Sequence, residues 1–405
     1  MNSMPYIILT YIVALSLPGL FSIETKSTTY AVYQIICILF LIFFIFINYI
    51  KYRKKIAFPK PTLYFVASYL IILTPSVVYS TYTAIANGDS IANIAQFILP
   101  IILCISLIIG SSYSKLSVLE LDKIIKFILL FILICALYNM VINYETILSL
   151  SSINGSYDVD IKGFFTNRNV FGYMMACGIA CGTVLFAKYR KPITLVIMTI
   201  IGANLFFAMS RGAILFFLVF LTLFILSKTK NKIGATLVLT TLLALLAGVL
   251  FNNTFVQNNI IRSDNGDTGR SELRSYGIQR FIYGNIVLGE GQNAIKEIEK
   301  EFKHSSFHNL YIETLATQGL LGFAALIICT IYIWINIKQL KRHDLTYYSF
   351  FLSFFVAYLL YCTVEALPTF YATPNSIMTT YILILLPLFV LNFYKAKSLR
   401  KGIKR

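Results

Sequence analysis

The chain has 405 residues, 58% of them hydrophobic and only 13% charged, with a net charge of +17. Soluble globular chains carry about 25% charged residues, so this composition excludes a soluble domain. The 34 Lys and Arg residues fall in short clusters between apolar runs, which is the pattern of membrane topology and not of a nucleic-acid surface.

A helix needs about 20 apolar residues to cross the hydrocarbon core. Taken in chain order, the apolar runs predict twelve helices at 5–21, 30–50, 62–83, 91–110, 124–143, 169–187, 192–209, 211–227, 233–251, 311–336, 345–364 and 377–394. The expected fold is therefore all-α and polytopic. No Lys or Arg precedes Lys26 and no small-residue cleavage site follows the first run, so 5–21 reads as a retained helix and not a removable signal peptide. Gly178 and Gly182 in the sixth helix form a small-x-x-x-small pair suited to close helix packing. The chain divides into helices one to nine over 1–251, a long polar loop over 252–310, and helices ten to twelve with a basic tail over 311–405. Within the loop, Ile295, Ile298 and Phe302 recur at helical spacing among charged residues, which predicts an amphipathic helix resting on the membrane surface. No internal repeat is visible, so the two matching halves of many transporters are not apparent.

Orientation follows from charge. The turns 51–60, 111–126, 188–191, 228–232 and 337–344 and the C-terminal tail hold 23 of the 34 basic residues. With twelve helices, all of these segments fall on one side, which places both termini in the cytoplasm. The other 11 basic residues lie outside or at the outer edge, and eight follow one another from Arg211 to Lys303. A topology signal would put them inside; an anionic ligand is the simplest reason for their position. All seven cysteines lie in apolar segments, so neither a disulfide framework nor a zinc site is implied.

Three motifs are set aside. Asp158-Val159-Asp160 is an isolated D-x-D that reads as a solvated turn. Asp264-Asn265-Gly266-Asp267 lacks the spacing of a calcium loop and has Ser275 where a Glu is required. His304 and His308 are four apart, but Ser305 stands where a zinc protease needs glutamate. His308 itself sits at the junction of the loop and helix ten, where a partly wet imidazole titrates near neutrality and suits general-base work on a hydroxyl; the plainer reading is a polar anchor. Arg211 lies between two apolar helices with only a tight turn between them. A guanidinium there faces protein, water or an anion, or snorkels to the headgroups. Together with Arg270, Arg274 and Arg280 it would form a fork-shaped clamp for phosphate oxygens. Glu365, at the outer end of helix eleven, is placed to orient an imidazole or pair with an arginine, or is an ordinary helix-end charge.

Four segments in order carry a resemblance. His308-Asn309, nine residues, then Gly319-Leu320 resembles the H-[NSQ]-x9-G-[LI] pattern of the O-antigen polymerase and ligase superfamily. Arg211-Gly212-Ala213-Ile214-Leu215 is similar to its R-x3-L element. Gly163-Phe164-Phe165-Thr166-Asn167-Arg168-Asn169, followed by Phe171-Gly172, resembles its G-x-F-x-N-x-N-x-x-G segment. Thr268-Gly269-Arg270 and Leu288-Gly289-Glu290-Gly291 resemble the start and end of its large external loop. The likeness covers about 160–325.

The resemblance implies a membrane-embedded, lipid-dependent glycosyltransferase of GT-C-like fold, with no cofactor and no metal. Its implied partners are undecaprenyl-diphosphate-linked oligosaccharide and membrane lipid, with a chain-length regulator as a further partner and no nucleic acid. The expected place is the bacterial cytoplasmic membrane, with the active site on the periplasmic or extracellular face. An acceptor hydroxyl would attack the anomeric carbon as the lipid diphosphate leaves. By similarity, His308 is the base, Arg211 and Arg270 hold the diphosphate, Arg274 and Arg168 are further contacts, and Asn309 places the base. Asn169 and Glu365 complete the expected substrate-binding set. A polymerase joining lipid-linked repeat units is the first expectation, partly from the asparagines around Asn167 and Asn169. A ligase moving finished glycan to a lipid or protein acceptor is the alternative. A flippase or transporter is the third, disfavoured because the arginines collect at one face and not along a central cavity.

Overall fold

The computed structural model describes residues 4–18, 28–52, 60–88, 91–112, 114–149, 161–165, 167–229, 269–304 and 306–402. All regular structure there is helical: α1 (Met4–Ser16), α2 (Thr28–Tyr52), α3 (Lys60–Ala86), α4 (Ile91–Ser112), α5 (Val118–Ile142), the short α6 (Tyr144–Ser149), α7 (Arg168–Tyr189), α8 (Pro192–Phe207) and α9 (Arg211–Lys228). After the long loop come α10 (Arg270–Tyr283), α11 (Gln292–Phe302), α12 (Leu310–Leu340), α13 (Leu345–Tyr361), α14 (Pro374–Thr380), a π-helical turn (Tyr381–Leu385) and α15 (Leu386–Gly402). Among the described residues, seven helical segments are long and apolar enough to cross a membrane, and four shorter apolar helices accompany them. The chain is a polytopic helical membrane protein. Helices stand at eleven of the twelve expected positions; the ninth expected helix, 233–251, lies outside the described residues, as do the set-aside segments 158–160 and 264–267.

α7 is the central post, with Val170–Leu185 buried on every side. A Cβ on Gly178 would fall 2.6 Å from Ile132 of α5, and one on Gly182 would fall 2.5 Å from Met198 of α8. The small-residue pair therefore lets two neighbours close on the same helix, as the spacing predicts. The seven cysteines are buried and free.

The two ends of the bundle differ. α5 starts earlier than its apolar run, at a capping box in which Ser117 and Glu120 satisfy each other's backbone N–H. This brings Asp122 inside the helix and buries it. Lys188 at the end of α7 donates to both Asp122 oxygens at 2.7 and 2.8 Å, and Tyr189 and Tyr347 donate their hydroxyls to the same carboxylate. The starts of α7, α9 and α12 and the end of α13 gather at the opposite end.

That opposite end is closed by the loop. α12 is kinked at Gly319, whose φ of 63° and ψ of −160° lie outside the helical region. The break frees carbonyls and amides that a hydrocarbon environment cannot satisfy. Main chain of the loop supplies the partners: Glu290 and Gly291 donate to the carbonyls of Ala316 and Thr317, and Leu320 and Leu321 donate to those of Ile286 and Val287, all at 2.9–3.2 Å. Ser76 of α3 reaches into the crossing and donates to Leu288 and Gln318 carbonyls. A Cβ on Gly289 would fall 2.4 Å from backbone atoms of Thr317 and Gln318, and one on Gly319 would fall 2.5 Å from those of Gly289 and Val287. Two backbones meet here with no room for a side chain, which explains the glycines in both halves of the motif.

α11 forms where Ile295, Ile298 and Phe302 predict it. Its apolar stripe, however, packs on protein and not on a membrane surface: Ile298 lies in a small core with Leu273, Phe307 and Ala316, flanked by Ile295, Phe302 and Tyr276. A stripe of this kind buries equally well against lipid or against a neighbouring helix, and α10 supplies the neighbour.

Candidate active site

Between α11 and α12 the chain makes a tight turn that aims His308. His308 has φ of 49°, a left-handed conformation that His adopts more readily than most residues. The turn is pinned from inside: Glu313 accepts from the Ser306 hydroxyl at 2.6 Å and from the Phe307 N–H at 3.1 Å, and Ser306 in turn accepts from the His308 N–H at 3.1 Å. Asn309 then caps α12, accepting from the N–H groups of Tyr311 and Ile312, while its amide donates to the Thr363 carbonyl at 3.0 Å. Leu310 N–H donates to the Cys362 carbonyl at 2.9 Å. The start of α12 is thus fastened to the end of α13.

α13 ends at Tyr361, earlier than the expected 364, and a turn follows that presents Glu365 off the helix. Glu365 is the hub of the site. His308 Nδ1 lies 3.1 Å from its Oε2. Arg270 Nη2 and the Asn169 amide donate to its Oε1 at 3.1 and 3.0 Å. Arg270 also donates to the Val364 carbonyl at 3.3 Å, and Arg274, one turn on along α10, donates to the Thr363 carbonyl at 3.2 Å. The buried Nε of Arg274 has no hydrogen-bond partner among the described residues. A guanidinium N–H buried without an acceptor is costly and is the donor an anion would satisfy.

The asparagine segment is built to deliver Asn169. Gly163 takes a left-handed φ of 57° and its N–H donates to Asn139 of α5, while Phe164 and Phe165 are buried. Asn167 caps α7 by accepting from Val170 N–H at 2.8 Å. Asn169 accepts from the Ser210 hydroxyl at 3.1 Å and donates to Glu365. Gly172 allows α9 to approach, since a Cβ there would lie 2.8 Å from Ser210.

Of the expected residues, the structure brings His308, Arg270, Arg274, Asn309, Asn169 and Glu365 around the turn 363–365. Arg211 opens α9, and the next residue, Gly212, packs against Tyr361, Val364 and Glu365, so the helix start belongs to this cluster. Arg168, half-buried, opens α7 between Asn167 and Asn169. Arg280 stands apart from the cluster, paired with Glu290 at 2.5 Å. Glu313, Ser306 and Ser210, which also belong to the arrangement, are not residues that the sequence motifs specify. For Glu313 a signal existed: a carboxylate one turn into an apolar helix is expensive unless it has internal donors.

His304 is the other imidazole of the region, its ring 5.7 Å from that of His308 and nearly perpendicular to it. Burial holds the His304 imidazole below its ordinary value, and the neighbouring His308 and Arg270 press the same way. The site thus brings the carboxylate of Glu365, with Glu313 beneath the turn, together with two imidazoles and a set of guanidinium groups, the equipment for moving a proton beside a developing negative charge.

Residues 193–327 match the family model described as O-antigen ligase, a span that holds Arg211, Arg270, Arg274 and His308. Over this span, about a third of its length, the chain is similar to the O-antigen ligase family, which supports the resemblance to the O-antigen polymerase and ligase superfamily read from the motifs. Members of this superfamily are glycosyltransferase-like enzymes. Glu365 and Asn169 fall outside the matched span, yet they complete the arrangement around His308 and Arg270. No curated protein matches the chain.

Proposed function

We propose that the chain transfers glycan from an undecaprenyl-diphosphate-linked oligosaccharide, and that it acts as a polymerase joining lipid-linked repeat units. The observation that carries this reading is Glu365, which holds the imidazole and a guanidinium at once, while Arg274, bonded to the Thr363 carbonyl of the same turn, keeps a buried Nε without an acceptor among the described residues. With Nδ1–H donated to Glu365, the other ring nitrogen of His308 is left as an acceptor. It takes the proton of the acceptor hydroxyl as that oxygen attacks the anomeric carbon. The bond from the anomeric carbon to the diphosphate oxygen breaks, and the lipid diphosphate leaves with the electron pair. Arg274 and Arg211 stabilise the charge that grows there; Arg270 both faces that charge and holds the base through Glu365. Asn169, Asn309 and Glu365 then act on substrate through the groups they position. Arg168 is a further contact for the diphosphate.

In the same reading the protein lies in the bacterial cytoplasmic membrane with both termini inside and the site on the outer face. The end of the bundle opposite the site carries Lys188, Arg190, Lys191, Lys338, Lys341 and Arg342, the residues a cytoplasmic face would hold. A ligase shares the same base and arginines. The test is the glycan on undecaprenyl diphosphate in cells carrying His308→Ala. Single repeat units accumulating on the lipid, with no long chains, identify a polymerase; full-length chains trapped on the lipid identify a ligase and overturn the first choice. An unchanged lipid-linked pool at normal protein level removes His308 from the reaction.

A further inference from the structure

A partly open cavity of about 660 Å3 lies beside the cluster, lined by α2, α3, α4, the start of α7, α11, α12 and the segment 366–375. Its size falls within the range of small-molecule sites, about 300–1,000 Å3. It is separate from the His308–Glu365–Arg270 group, none of which lines it, but the two share a wall. Leu310 and Ala366 face the cavity, and their chain neighbours Asn309 and Glu365 belong to the cluster.

The lining differs in kind from the arginine side. It holds no arginine, and its charged residues are Lys296, Glu299 and Glu313. Planar amides are supplied by Gln292, Gln318 and Asn375, and aromatic rings by Tyr30, Tyr69 and Tyr371. Between them the wall is aliphatic, with Leu73, Leu99 and Ala325. A diphosphate would meet one lysine against two carboxylates there, and none of the arginine forks found on the other side of the wall. A sugar finds partners: its hydroxyl edge matches amides that both donate and accept, and its C–H faces match rings and aliphatic groups. Asn375 Oδ1 is buried and has no donor among the described residues, so it is an acceptor left open for an O–H group.

We propose that this cavity is a second glycan-binding site, which holds uncharged sugar rings of the acceptor while its attacking hydroxyl reaches over the shared wall to His308. This rests on the glycosyl-transfer reading above and divides the two substrates: donor diphosphate on the arginines, acceptor sugars on the amides and tyrosines.

The test uses the full chain reconstituted in nanodiscs and two probes. One is the oligosaccharide released by mild acid from the host cell's lipid-linked glycan; the other is undecaprenyl diphosphate. Wild type should bind both, and inorganic diphosphate should not displace the oligosaccharide. Asn375→Ala should weaken oligosaccharide binding about tenfold, the equivalent of one hydrogen bond, and Thr314→Trp, which fills the cavity from α12, should abolish it. Both variants should keep the undecaprenyl diphosphate affinity of wild type, which also shows that they are folded. Oligosaccharide affinity unchanged in both variants, with or without a lipid chain found in the cavity, overturns the proposal, as does its displacement by inorganic diphosphate. Arg270→Ala tests the other reading independently: undecaprenyl diphosphate binding retained there would sink the diphosphate assignment without touching the glycan site.

Discussion

His308 and Glu365, 57 positions apart in the chain, meet with Nδ1 at 3.1 Å from Oε2, while the second carboxylate oxygen of Glu365 takes Arg270 and Asn169. One side chain therefore fixes both the ring orientation of His308 and the position of the Arg270 guanidinium. Glu365→Gln keeps the shape but removes the charge that holds His308 and Arg270 together. Transfer should fall about 100-fold or more, at unchanged protein level, when glycan formation is assayed in membranes. Activity within a factor of two of wild type would exclude Glu365 as the organiser.

Arg270 contacts Glu365 and the Val364 carbonyl with two different nitrogens. A lysine offers a single point charge and cannot reproduce the fork. Arg270→Lys should lose at least about tenfold in transfer rate, and Arg211→Lys should fail in the same way. Full activity in either variant removes that arginine from the mechanism.

Glu313 carries the turn beneath His308 through Ser306 and Phe307. Glu313→Ala leaves a buried hydroxyl and N–H without an acceptor, a loss of about 1–3 kcal/mol. The thermal midpoint in detergent should drop together with activity. Glu313→Gln retains an acceptor oxygen and should recover most of the stability; a midpoint as low as that of the alanine variant would show that charge, and not hydrogen bonding, pins the turn.

His304 gives the region an acid-sensitive element. Its folded imidazole is held below the unfolded value of about 6.5, chiefly by burial and then by His308 and Arg270. The unfolded chain thus binds the proton more readily. The His304 contribution to stability is complete above about pH 6.5 and is lost as pH falls from there toward the folded value. Melting measured between pH 8 and pH 5 should show a smaller acid loss in His304→Gln than in wild type. Parallel curves would assign the acid sensitivity elsewhere.

Gly289 meets the α12 backbone with no space for a methyl group and has φ of 74°. Gly289→Ala should reduce the folded yield from membranes and lower the thermal midpoint, because backbone atoms on both sides would have to move. Gly269, with a similar φ of 71° but no described residue within 4 Å of an added Cβ, is the control: alanine there should be milder.

Much of this was legible in the sequence because lipid leaves few options. Apolar runs of about 20 residues announced the helices, and Gly178 and Gly182 announced the packing of α7. The residues that converge on the turn 363–365 are legible one by one, since a guanidinium, imidazole or carboxylate at a helix end on one face stands out against an apolar background. Their partners were not legible. That Glu365 joins His308 to Arg270 depends on α13 stopping at Tyr361 and turning, which no periodicity in Phe350–Leu360 foretells. Glu313 was hidden because one carboxylate in a long apolar run reads as an interruption until its donors, two turns of chain away in a loop, are seen. The stripe on α11 gave its helix correctly and its partner wrongly, because the pattern records that a face is buried and not what covers it.

The crossing of Gly289 and Gly319 also bears on how such a chain is made. Alone, α12 would enter the bilayer with a broken backbone and open carbonyls at Ala316 and Thr317, each costing several kcal/mol in hydrocarbon. The strip that pairs with them, Ile286–Gly291, emerges earlier during synthesis and must lie at the same face of the bundle as the break when α12 arrives. Stable insertion of the last quarter of the protein is thereby conditional on correct placement of the loop before it, so biogenesis itself screens out chains in which the two were left on different sides.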